Sequence, residues 1–127
     1  MPLSLVGAPA FAGDKKYDKD NEPEIAIKAI DYKDGYFKVK VKYECEPDHH
    51  DYTGKIKVTL DQKHGAEYKG YAEADCDGHE HYGWVKLYKA DGELKSGRAK
   101  VEATIYEPDG DYASDHEYVK IKVYKKH

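Results

Sequence analysis

Carboxylates and imidazoles gather in three short stretches of this sequence. Glu46-Pro47-Asp48-His49-His50-Asp51 holds three carboxylates and two His, and Asp75-Cys76-Asp77-Gly78-His79-Glu80-His81 holds three more and another two His. Glu107-Pro108-Asp109-Gly110-Asp111, continuing to Asp115 and His116, repeats the theme, and none of the three stretches contains a Lys or Arg. Carboxylate oxygens suit Ca²⁺, whereas several imidazoles suit Zn²⁺ or Cu²⁺. Asp48, His49, His50, Asp51, Asp77, His79, His81, Asp109, Asp111 and His116 are therefore the candidate metal ligands, and one such ion is the only cofactor the sequence suggests. His79 and His81, two apart, face the same side if their segment is extended. The spacing matches neither an EF-hand loop nor a C-x₂-C zinc framework. Asp77-Gly78 and Asp109-Gly110 are also ordinary turn dipeptides, so plain solvated turns are the competing reading.

A second surface comes from the run around Trp84. If Val85 and Leu87 face a core, Tyr82, Trp84, Lys86 and Tyr88 face out. Exposed Tyr and Trp are what protein- and carbohydrate-binding sandwiches use, because their rings combine apolar area with a polar edge. Tyr82, Trp84 and Tyr88 are the candidate binding surface. A bulge at Gly83 would instead turn Trp84 inward as the core aromatic, and for the only Trp in the chain that is the expectation.

Other chemistries find little material. There is no G-x-S-x-G, no phosphate loop, and the few hydroxyl residues lie apart from the His clusters, so no enzyme is expected. The net charge is −4 and Arg98 is the only Arg, which argues against nucleic acid as a partner.

The elements that must position these residues are strands. Period-two apolar runs occur at Ile25, Ile27 and Ala29; at Phe37, Val39, Val41, Tyr43 and Cys45 after the Asp34-Gly35 turn; and at Ile56, Val58 and Leu60. A looser run from Ala66 to Asp75 follows, then Val85 and Leu87, then Ala99, Val101, Ala103 and Ile105, and last Val119, Ile121 and Val123. Seven short strands with turn signals between them predict an all-β, seven-stranded antiparallel immunoglobulin-like sandwich. In that topology the B–C, D–E and F–G connections share one pole, which is where the three acidic stretches fall. Cys45 ends strand B and Cys76 ends strand D, at the same pole, so one disulfide is expected there. It closes a loop of about 32 residues, for which chain entropy gives ~3–4 kcal/mol.

Pro2 to Ala12 carries no charge and ends in Ala10-Phe11-Ala12, the pattern of an h-region before an A-x-A cleavage site. Residues 1–12 thus read as a signal-peptide remnant, 13–23 as a flexible N-terminal segment and 24–127 as a single β-sandwich domain, with export to the extracellular space. No 18-residue apolar run exists, so no membrane span is expected.

The run Tyr43-Glu44-Cys45, the segment Cys76-Asp77-Gly78 with Trp84 shortly after, and Ala99-Lys100-Val101-Glu102-Ala103-Thr104 resemble a family of small secreted actinobacterial domains of unknown function. The likeness covers strand B to strand F; it implies an exported immunoglobulin-like fold and no catalytic residue. The expected function is a secreted, non-enzymatic binding module for an extracellular protein or glycan. The alternatives are a divalent-metal-binding protein using the acidic pole, and a protease inhibitor using the 46–53 loop.

Overall fold

The Asp34-Gly35 pair sets the first reversal of the chain. Both residues have positive φ, 48° and 89°, the backbone of a type I′ turn, whose twist matches that of the strands it joins. In the computed structural model, which describes residues 22–123, seven strands follow one another: β1 (Glu24–Lys33), β2 (Tyr36–Glu44), β3 (Thr53–Asp61), β4 (Glu67–Asp75), β5 (Glu80–Asp91), β6 (Gly97–Tyr106) and β7 (Tyr112–Ile121). The apolar segment 1–12 and most of 13–23 lie outside the described residues.

Every pairing is antiparallel, in the order β1-β2-β5-β4-β3-β6-β7. Lettered A to G, this is A-B-E-D-C-F-G, consistent with an immunoglobulin-like sandwich. β4 pairs with β3 along its whole length but meets β5 only through Glu67–Lys69. Beyond that corner β4 leaves β5, so β1-β2-β5 forms one layer and β4-β3-β6-β7 the other. Gly70 marks the departure: a Cβ there would lie 2.0 Å from the Lys86 carbonyl oxygen, so β4 can pass this close to β5 as it turns away only because this position has no side chain.

The core is the inward half of each alternation. Val39 and Val41 from β2, Val58 and Leu60 from β3, Leu87 from β5, and Val101 and Ile105 from β6 are completely buried. On the far side from the β4/β5 corner, the free edges of β1 and β7 approach each other. There the Ile27 amide donates to Asp115 Oδ2 at 2.9 Å. A carboxylate on one outer strand thus satisfies an N–H on the other, which blunts an edge open to foreign strands.

Three sequence expectations change. In β1 the register shifts between Ile27 and Ala29, so Ile30 is buried and Ala29 only partly so. In β7 the strand begins at Tyr112; Val119 is buried, but Val123 lies beyond the strand and is exposed. Trp84 does not enter the core. Gly83 sits in regular register opposite Val41 and occupies an inward slot, so strict alternation leaves Trp84 outside. The core aromatics are Phe37 and Tyr68, in edge contact with centroids 4.8 Å apart, and Tyr43, whose hydroxyl accepts from the Asp75 amide at 3.0 Å.

Candidate functional site

The three acidic stretches do meet at one pole. Cys45 and Cys76, both buried, are disulfide-bonded with their Cα atoms 4.5 Å apart. The bond ties β2 to β4, strands of different layers that never pair. Around it the Gly78 amide donates to the Cys45 carbonyl and the Cys76 amide to the Tyr52 carbonyl, each at 2.8 Å. The Glu46 amide donates to Glu107 Oε2 at 2.9 Å, which attaches the third loop.

The imidazoles do not converge there. Asp48 and Asp51 exchange both backbone hydrogen bonds, at 3.0 and 2.8 Å, and hold His49 and His50 exposed at the tip between them. The 46–53 loop therefore folds back on itself. The 77–79 stretch is a turn with Gly78 at φ 81°, not an extended segment, so His79 and His81 have different surroundings. His79 is exposed, while His81 stands beside the Tyr43 ring, its Nε2 2.9 Å from Asp77 Oδ1. That contact, joined by the His79 amide, holds the Asp77 carboxyl below the usual carboxylate range. His116 and Asp115 are strand residues of β7 rather than loop ligands, and His116 faces Tyr118.

Glu107, Asp109 and Asp111 do converge: one carboxylate oxygen from each lies within 4.8 Å of the others. Asp109 and Asp111 are exposed, but Glu107 is only 5% exposed. Burial pushes its carboxyl above the usual range against the pull of the Glu46 amide, and Asp109 and Asp111 push the same way. Glu107 was not among the sequence-derived ligands. Its place at i, i+2, i+4 with Asp109 and Asp111 was the available signal, but its burial was not.

The outward face of β2 and β5 is the other site. Eight consecutive residue pairs, from Phe37↔Leu87 to Glu44↔Glu80, run without a bulge. Tyr82, Trp84 and Tyr88 stand on this face at 57%, 46% and 57% exposure. Lys38 Nζ lies over the Trp84 ring at 5.0 Å, Lys40 Nζ over Tyr82 at 5.2 Å, and Lys86 Nζ over Tyr36 at 5.1 Å. Tyr36 in turn meets Tyr88, centroids 5.9 Å apart. The result is one band of rings and ammonium groups. Each exposed cation–π contact is worth ~0.5–1 kcal/mol, a modest restraint on the orientation of the rings. Lys42, next along β2, is instead paired with Glu80 at 3.0 Å, a bond that raises its pKa.

Comparison of the chain with protein-family models, curated proteins and solved structures finds no match. Among the described residues no helix is long and apolar enough to cross a membrane.

Proposed function

We propose that this protein is a non-enzymatic extracellular binding module that recognises a glycan or a protein through the outer face of β2 and β5. The observation that supports it is the placement of Tyr82, Trp84 and Tyr88 in the open, on a regular strand whose inward positions already fill the core. Indole and phenol rings exposed together are costly to hydrate and are enriched where surfaces bind. The disulfide accords with an oxidising compartment and hence with secretion. The test compares the wild-type chain with a Tyr82→Ala/Trp84→Ala/Tyr88→Ala variant on insoluble polysaccharides and immobilised extracellular-matrix proteins. Adsorption by the wild type that the variant loses, at unchanged far-UV circular dichroism, supports the reading. Equal adsorption by both, or none by either, refutes it.

A second reading has its own observation, the convergence of Glu107, Asp109 and Asp111. An all-oxygen donor set suits Ca²⁺ rather than Zn²⁺ or Cu²⁺, with water completing the six to eight ligands that Ca²⁺ takes. Calorimetric titration with all three ions tests it: heat with Ca²⁺ that Asp109→Asn/Asp111→Asn abolishes supports the reading, and silence removes it.

A further inference from the structure

We infer that the ligand of the β2/β5 face is an acidic polysaccharide, a linear chain of sugar rings bearing carboxylates; this rests on the binding-module reading above. The first argument is electrostatic. Lys38 and Lys86 are direct cross-strand partners in mid-sheet, and like charges so opposed destabilise a sheet. Neither 36–42 nor 82–88 contains an Asp or Glu, in a chain whose net charge is −4. Asp31 of β1 faces Lys38 across the ladder, but Lys40 and Lys86 have Ala29, Trp84 and Lys38 as their outward cross-strand neighbours, and the ammonium groups of Lys38, Lys40 and Lys86 lie over rings. Asp31 offsets only Lys38, so an anion seated over Lys40 and Lys86 relieves a repulsion that the fold leaves partly in place.

The second argument is shape. The band runs along the strand from Tyr82 to Tyr88, ~20 Å at the usual rise per residue. From Glu80 to Leu87, β5 has no β4 partner, and an extended peptide added to that edge is the occupant that poly-L-glutamate tests. The band carries no exposed Leu, Ile or Val to enter a lipid surface. Rings that alternate with ammonium groups fit a ligand that alternates in the same way. The C–H face of a sugar ring stacks on Trp84 or a Tyr, and the carboxylate borne by each ring meets a Lys.

Because Trp84 is the only Trp, its fluorescence reports on this face alone. The full chain is titrated, in EDTA, with polygalacturonate, with an uncharged galactan and with poly-L-glutamate. The expected result is saturable quenching or shift of Trp84 by polygalacturonate that weakens with added salt. Galactan and poly-L-glutamate should bind at least about tenfold more weakly, and Lys38→Gln/Lys40→Gln/Lys86→Gln should lose at least about tenfold in affinity for polygalacturonate. Lys86→Gln alone, a single exposed change, gives the same direction should the triple variant fold poorly. Galactan binding as tightly as polygalacturonate, in wild type and triple variant alike, overturns the acidic-ligand inference while leaving the binding module standing. Equal binding of poly-L-glutamate overturns the glycan assignment. If no polymer perturbs Trp84 the inference falls, and the aromatic-variant adsorption assay alone then decides the broader reading.

Discussion

Replacing both Cys45 and Cys76 by Ala removes the disulfide cross-link between the two layers. The bond spans a sequence separation of 31, and chain entropy for a loop of that size gives a loss of ~3.7 kcal/mol. The native state does not oppose this, because Ala lacks the Sγ of Cys and the two buried sulfurs leave a small apolar void that adds to the loss. Set against a total of ~5–15 kcal/mol for a domain of this size, the loss is large. It corresponds to a fall in Tm of roughly 15–25 °C. Urea denaturation followed by circular dichroism, with the unreduced wild type as reference, measures it. The midpoint should drop steeply, and the slope should rise because the unlinked denatured chain exposes more surface. Amide exchange adds a spatial check: the Gly78 and Cys76 amides, which donate across the pole, should lose protection before the amides of β3 and β6. A loss below about 1 kcal/mol, with unchanged slope, would refute the loop-closure account and leave the pole held by its hydrogen bonds.

Two further outcomes follow from buried polar groups. Gln62, 7% exposed, donates from Nε2 to the Lys95 carbonyl at 2.7 Å and accepts the Lys95 amide on Oε1 at 3.0 Å; Gln62→Ala leaves both backbone groups unpartnered and should cost ~2 kcal/mol in a thermal or urea melt, whereas a cost near zero would mean that water replaces the side chain. For Glu107, whose folded value is raised by burial first and by Asp109 and Asp111 after it, the favourable contribution is complete below the unfolded carboxylate value and is lost as pH rises through the folded one. Glu107→Gln keeps an acceptor for the Glu46 amide without the charge, so its urea midpoint should gain on the wild type as pH rises through that window; a constant difference from acid to neutral pH would show that the carboxyl is not perturbed.

Much of the scaffold was legible in the sequence because period-two alternation and turn chemistry are local. Phe37, Val39, Val41 and Tyr43 announce an inward face, and Asp34-Gly35 announces its turn without reference to the rest of the chain. The pairing of Cys45 with Cys76 needed only their even number and their equivalent places at strand ends. What the sequence could not decide were matters of register and convergence. Whether Trp84 is core or surface depends on whether Gly83 absorbs an extra residue, and its partner Val41 across the ladder settles that it does not. The shift at Lys28 likewise arises between β1 and β2, and it exchanges Ala29 for Ile30 in the core. At the pole, proximity of loops was foreseeable from topology, but convergence of side chains was not. Turn geometry points His49 and His50 into solvent, a hydrogen bond draws His81 to Asp77, and burial selects Glu107 to complete the carboxylate group with Asp109 and Asp111. Alternation along a strand fixes which way a residue faces, whereas only the packed neighbours fix what it meets there.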